Sequence, residues 1–439
     1  MKTFLQKYGF IIIISISVVA ILLIILYVIF WGESAEPVSD KQDPNSNQSD
    51  VKDLKPEVIT QSSNQFGAEL IAAICSSDQE ACEENLFISP VSIHSALAML
   101  GHGAAGDTKD QIWSVLNIEN SADSVVAAQY KSLNASLNRS GESSEISIAN
   151  SLWANSENRV NAPIKQSYLD QLTDNYGALV SSLPFSQAST LDEINGWASE
   201  KTKGKITKVV DELSGDTYLI LMNAIYTKAD WKYQFDPELT EEKDFTKANG
   251  GKVRVPMMSS GELDLNYFDG DEWSAVELPY ADESLSSWLF MPKGDGSVAD
   301  FNYELFESVL AGSVKGEASV ELPKFTIRGD LILNDYLNLM GMEDAFGEGV
   351  ADLSGISDAE LYVSKVQHIS YLQVDEEGSE AAAVTSVVVD VTSVGLDDEP
   401  FAFIADQPFV YTIYDKNNGV LLFVGLINDP STVQGSITR

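Results

Sequence analysis

Basic residues are scarce in this chain: 27 lysines and arginines stand against 66 aspartates and glutamates, a net charge of −39. Such a surface repels nucleic acid and anionic lipid, which argues against both as partners of the folded part. Cysteine and histidine are scarcer still, at two and three. Cys75, Cys82, His94, His102 and His368 match no standard zinc spacing, and no Cys–His nucleophile pair is supported. No GxSxG elbow is present either, so a surface hydrolase lacks its nucleophile–base pair, and neither metal nor cofactor is expected. What remains is ordinary for a globular protein, with 44% hydrophobic and 21% charged residues over 439 positions. That length suits one large domain or two to three smaller ones.

Charge is also absent from one long run. After Lys2 and Lys7, the 22 residues from Phe10 to Trp31 carry none. At the helical rise they reach about 33 Å, a bilayer core. Lysines before the run place the N-terminus inside, and Tyr27 and Trp31 suit the far interface. The run exceeds a signal-peptide core, so residues 1–32 are expected to be a cytoplasmic stub and transmembrane signal-anchor, or a secretion signal if cleaved. Either way the remainder lies outside the cell. It holds all 66 acids and 25 of the 27 bases, a net of −41. Residues 33–60 are polar and proline-dotted and read as a flexible stalk. Export permits a disulfide between Cys75 and Cys82, and two free thiols are equally compatible with their spacing. Sequons occur at Asn47, Asn134 and Asn138.

Periodicity predicts a helix near 61–74, a short strand at "LFIS", and a helix opened by Pro90 with Ser89 as its cap. Asp107 and Thr108 are candidate caps for the next helix. "SEISIANSLWANS" (144–156) alternates as a strand, 162–180 is helical, and "TLDEINGWASEKTKGKI" reads as a helix capped by Thr190 that stops at Gly204. "TYLILMNAIYTKADW" suits a central strand buried on both faces. "LDLNYF", "SAVELPY" and "SSWLFMPK" follow as strands, and "NNG" (417–419) turns a hairpin. Helices come first and strands later, without a βαβ repeat, so the class is α+β.

The stretch "DEEGSEAAAVTSVVVDVTSVG" (375–395) has no proline and turns from acids through alanines to valines. As a strand, one face would carry Ser379, Ala381, Ala383, Thr385, Val387, Val389 and Val391 without a charge. The other face would carry Glu380, Ala382, Val384, Ser386, Val388 and Asp390. Burying each valine of the first face is worth about 1.5–3 kcal/mol.

Across 61–430 the chain resembles a serpin. The motifs, in order, are "NLFISPVSIHSALAMLGHGAAGDT" (85–108), "INGWASEKTKGKI" (194–206), "LILMNAIYTKADWKYQFDP" (219–237), "VPMM" (255–258), "LPKFTI" (322–327), "ADLSGIS" (351–357), "HISYLQVDEEGSEAAA" (368–383), "FIADQPFVYTIYD" (403–415) and "LLFVGLINDP" (421–430). The resemblance implies a serpin domain at 61–430, with three β-sheets and about nine helices, followed by a tail at 431–439. It also implies an exposed reactive-centre loop near 379–402. The function implied is suicide inhibition of a serine protease, with no enzyme activity. The protease cleaves the loop as an acyl-enzyme, and the loop then inserts into the large sheet, a form of strand addition that releases stored strain.

Carried over residue by residue, the hinge is Gly378, Ser379, Glu380, Ala381, Ala382 and Ala383, whose small side chains match inhibitory members. Glu376 with Lys324 resembles the ion pair at the top of the large sheet, the breach, where Trp231 also lies. Ser92, Asn223 and His368 resemble the shutter beneath the strands that part. Counting seventeen residues from Glu376 places the reactive bond at Thr392–Ser393. The stretch "VGLDDEP" is about five residues longer than in familiar members, so Val391 and Val394 stay open as bait residues. No lysine or arginine lies between Lys365 and Lys416, so targets are elastase-like or subtilisin-like, not trypsin-like. Activation by a heparin-type polyanion is not expected, since Ser121 to Ser143 holds only Lys131 and Arg139 as bases. The other reading is a non-inhibitory serpin-fold binding protein. A monomer is expected, at the cell surface or secreted.

Overall fold

The structure, a computed structural model, describes residues 56–119, 121–157, 163–379 and 400–435. The chain divides into two units, Met1–Val51 and Lys52–Arg439, and every described residue lies in the second. Nine α-helices occur among the described residues: α1 (Pro56–Ser77), α2 (Gln79–Glu83), α3 (Pro90–Gly103), α4 (Gly106–Val115), α5 (Asp123–Leu137), α6 (Gln166–Tyr176), α7 (Ala188–Lys201), α8 (Tyr303–Gly312) and α9 (Asn334–Leu339). None is long and apolar enough to cross a membrane, and the span expected at 10–31 lies outside the described residues. Helix α1 starts at Pro56, so 56–60, expected in the stalk, are already helical. Cys75 and Cys82 form a disulfide between α1 and α2.

An eight-stranded sheet runs β17 (Gln434–Gly435), β11 (Phe325–Ile332), β12 (Val363–Val374), β13 (Gly378–Ser379), β5 (Leu219–Asp230), β3 (Ser144–Asn155) and β2 (Arg139–Ser140), with β4 (Leu179–Leu183) also on β3. The second sheet runs β1 (Leu86–Ile88), β16 (Val420–Ile427), β15 (Phe409–Asp415), β9 (Leu285–Pro292), β8 (Trp273–Pro279), β7 (Lys252–Asp269), β10 (Val314–Pro323) and β14 (Phe401–Ile404), with β6 (Glu241–Thr246) also on β7. The three sheets expected are thus two continuous ladders. The 18-residue β7 pairs with β6 at one end and with β8 at the other, and so joins two of them.

Strand β5 shows why this sheet forms. Its apolar run is buried along nearly its whole length. Ile220, Met222 and Ala224 face one cluster beneath α7, while Leu219, Leu221 and Ile225 face the main core. Period-two alternation feeds two different cores from one strand. Helix α3 is buried at every position and anchors the main core against β16, β5 and β3. The expected hairpin is β15–β16, with Gly419 in the left-handed region at φ 66°.

Three expected caps differ. Ser89 holds the N-cap position of α3, but its hydroxyl makes no cap bond. Helix α4 starts at Gly106, so Asp107 lies in its first turn, and Thr108 instead accepts from the Asp352 amide. Helix α7 starts at Ala188, and Thr190, inside it, donates to the Pro184 carbonyl. Thr108 and Thr190 lie inside their helices and spend their hydroxyls elsewhere, while Ser89 keeps the cap position without a cap bond. The sequon residue Asn134 is buried in α5, and Asn138 spends its side chain on Ile148 and Asn134.

Candidate functional site

Strand β12 ends at Val374, where the chain reverses in a tight turn closed by the Asp375 amide to the Gly378 carbonyl, 3.0 Å. The Asp375 carboxylate accepts from the Glu377 amide at 3.0 Å, the Asx geometry that favours a turn. Gly378 and Ser379 then descend between β12 and β5, antiparallel to both, with Ser379 opposite Val374 and Ala229. The exposed loop is expected to start near residue 379, within the hinge. The hinge's first two residues are already in the sheet, and Ser379 is fully buried.

The seat has a specific chemistry. The Ser379 hydroxyl lies 2.6 Å from that of Tyr280 and 2.9 Å from that of Tyr411, and the two phenols are 2.8 Å apart. Burial pushes both phenols up, so they stay neutral and can donate. Gly378 is required by close approach, since its Cα faces the Ala229 carbonyl.

Trp231 fixes the turn from the side. Its indole donates to the Asp375 carbonyl at 3.0 Å and its amide to the Glu377 carbonyl at 2.9 Å. Its ring stacks on Tyr280 with centroids 4.5 Å apart. Glu376 meets Lys324 at 2.5 Å and takes the Thr240 hydroxyl at 2.8 Å. Burial works to raise its carboxyl, but the bonds from Lys324 and Thr240 and the lysine's charge outweigh it and hold the group below the usual range.

Below the seat the strands β12 and β5 pair in parallel from Val363/Leu219 to Ser370/Ile225. Above that ladder Gly378 and Ser379 lie between the two strands, Ser379 pairing with Val374 of β12 and both with β5. The sheet is therefore parted at its top and closed below.

At the closed part sits a buried polar cluster. The His368 Nε2 accepts from the Ser89 amide at 3.0 Å, so the proton is on Nδ1, which donates to the Asn223 side-chain oxygen Oδ1 at 2.8 Å. The Asn223 amide donates to Ser92 at 2.5 Å and to Asn150 at 2.6 Å, and Asn150 reaches Ser95 at 3.3 Å. Burial lowers His368 to about 3. With both ring nitrogens engaged, it has none to offer as a catalytic base.

The structure thus brings Glu376, Lys324, Trp231, Gly378 and Ser379 together at the top of the sheet, and Ser92, Asn223 and His368 beneath its middle. Glu380, Ala381, Ala382, Ala383, Thr392, Ser393, Val391 and Val394 lie outside the described residues. The loop expected at 379–402 is bounded more tightly, by β13 ending at Ser379 and β14 starting at Phe401. Sequence reasoning missed Tyr280, Tyr411, Thr240 and Asn150, and gave Ser89 a capping role rather than its bond to His368. Only Asn150 carried a signal, as a polar residue inside the alternating strand "SIANSLW".

The sequence profile described as "Serpin (serine protease inhibitor)" matches residues 61–430. An "Uncharacterized serpin-like protein" of Methanosarcina acetivorans is 32% identical over 79% of this chain and 82% of its own length. The "Leukocyte elastase inhibitor" of Equus caballus is 32% identical over 85% of this chain and 100% of its own. Among solved structures, the thermophilic serpin tengpin in its native state superimposes with a TM-score of 0.76 at 26% identity, covering 90% of this chain and 97% of that one.

Proposed function

The chain belongs to the serpin family, whose members are mostly serine protease inhibitors, and from that premise we propose that it traps a serine protease by inserting its own cleaved loop between β12 and β5. The observation that carries the reading is Ser379, seated in the parted top of the sheet and already antiparallel to both neighbours. A strand continued from there needs no change of direction or register.

The register supplies the rest. If the strand continues from Ser379, which lies opposite Ala229 and Val374, residue 380 would fall beside Lys228 and Gln373, and residue 388 beside Ile220 and Lys365. Ala381, Ala383, Thr385, Val387 and Val389 would then share the inward face of Ser379. The two charges, Glu380 and Asp390, would fall at opposite ends of the slot, Glu380 next to Lys228. Only the ends of the inserted strand carry charge, which keeps the desolvation cost low. The bait is Thr392–Ser393, and targets with small apolar pockets fit the valines before it. The protein acts outside the cell, tethered by residues 10–31 or released by their removal.

Mixing the protein with pancreatic elastase or subtilisin tests this. The expected result is a complex stable in SDS and a released C-terminal fragment beginning at Ser393 by mass spectrometry. The cleaved protein should also melt well above the intact one. A nicked protein with unchanged melting and a fully active protease would refute it.

A further inference from the structure

A strand at the edge of a sheet presents a row of unpaired backbone donors and acceptors, and proteins blunt such edges with charge, proline, shortness or a covering segment. Among the described residues the edges are treated so, with one exception. Strand β6 carries four charged residues in "EEKDFT", β2 is two residues long, and β1 is three residues long and buried. Strand β14 is four residues that follow Pro400, and β17 covers part of β11. Strand β4 reads "LVSSL", without charge or proline, and pairs with β3 alone. Its Leu183 carbonyl faces β3, where it accepts from the Ser156 amide at 2.9 Å. Backbone groups alternate between the two edges of a strand, so the amides and carbonyls of Val180 and Ser182 face away from β3.

A cavity of about 450 Å³ adjoins this edge. Val180 and Ser182 line it from β4, and Ile164, Leu169 and Leu361 give it apolar walls. A strand laid against β4 would turn every second side chain to the face that Val180 occupies. A bulky apolar side chain at such a position would enter the cavity. Main-chain bonds for affinity and a pocket for alternate side chains are the two parts of recognition by strand addition. Charge decides what kind of segment fits. Glu157, Asp170, Asp358 and Glu360 are exposed, and each adjoins a lining residue in sequence. Lys165 is the one base so placed, and it is paired with Asp358 at 2.7 Å.

We propose that the open edge of β4 takes up an extended segment of a basic partner protein, with a bulky apolar side chain in the cavity and lysine or arginine on either side of it. Strand β4 lies against Ser151–Asn155 of β3, whose first four residues oppose Leu219–Met222 of β5, whereas Ser379 opposes Ala229. The site is therefore at the other end of the sheet from the seat, and it does not depend on the inhibitor reading.

The probe is the capped heptapeptide Lys-Thr-Val-Phe-Val-Thr-Lys, added to the intact protein. Hydrogen–deuterium exchange of the Val180 and Ser182 amides should slow about tenfold when it binds, with β15 and β16 unchanged. The same peptide with glutamate at both ends should bind at least about tenfold more weakly at low salt, and the difference should shrink as salt is raised. Ser182→Pro removes one outward amide, a change that edge strands tolerate, and should weaken binding at least about tenfold. Ser182→Ala keeps the amide and should bind as the wild type does. The peptide pair needs no variant, so it decides the matter even where Ser182→Pro does not fold. No binding, binding that leaves exchange in β4 unchanged, equal affinity for the two peptides at low salt, or wild-type affinity in a folded Ser182→Pro protein each overturns the proposal. Dimerisation that Ser182→Pro abolishes, without peptide uptake by the wild type, overturns it too and assigns the edge to a second copy of this chain.

Discussion

Replacing Gly378 by alanine tests the seat at the top of the sheet. A Cβ at this position would lie 2.2 Å from the Ala229 carbonyl oxygen and 2.8 Å from the Asp230 Cα. Both are backbone atoms of a central strand, so neither can yield as a side chain would. The hinge must leave the slot instead. Ser379 then gives up its bonds to Tyr280 at 2.6 Å and Tyr411 at 2.9 Å, together with its ladder pairing to Val374. The two phenols keep each other, so no buried hydroxyl is orphaned. At about 1 kcal/mol net per bond, the two hydroxyl bonds alone cost the intact protein about 2 kcal/mol. Urea unfolding of the intact form reads this loss, and the melting temperature of elastase-nicked protein reads the inserted state, whose stabilisation should shrink. Ser379→Ala is the control: it loses the hydroxyl bonds but fits the slot, and should keep its heat stabilisation on nicking. A Gly378→Ala protein within about 0.5 kcal/mol of wild type would show that the seat contributes nothing to the resting state.

Two further perturbations address the cluster under the strands and the register. Burial lowers His368 to about 3 and His94 to about 4, below the unfolded value of about 6.5. Between those values the unfolded chain binds protons that the native state does not, so stability is fully present above pH 6.5 and falls as pH drops. The slope is about 1.4 kcal/mol per pH unit for each histidine. Urea midpoints between pH 6.5 and 5 should show His368→Gln shedding about half of that slope, and an identical slope would mean His368 is not held neutral. Lys228→Glu would set two carboxylates opposite each other if Glu380 inserts beside it, lowering the melting gain on nicking by the equivalent of about 0.5–1 kcal/mol. An unaltered gain would place the inserted strand in another register.

Order of motifs and apolar alternation made most of the architecture legible before any coordinates. Strand β5 was readable because its apolar residues serve two cores at once, and the β15–β16 hairpin because glycine at 419 meets a positive φ. Caps were less legible. Ser89, Thr108 and Thr190 are competent cap residues, but each hydroxyl or amide answered to a partner far away or to a helix that began elsewhere. Thr240, Tyr280 and Tyr411 carry no local signal, because nothing near them in sequence resembles the turn at 375–378 that they hold.

The sequence by itself determined the family, the composition of residues 379–391 and the absence of lysine and arginine between Lys365 and Lys416, since these depend on which side chains occur and in what order. Only the tertiary structure decided that the sheet is parted at its top and that Ser379 is already seated there. Those features arise from groups distant in sequence, such as Trp231 with Asp375 and Tyr280 with Ser379, that meet only in the folded chain, and no local pattern encodes the meeting.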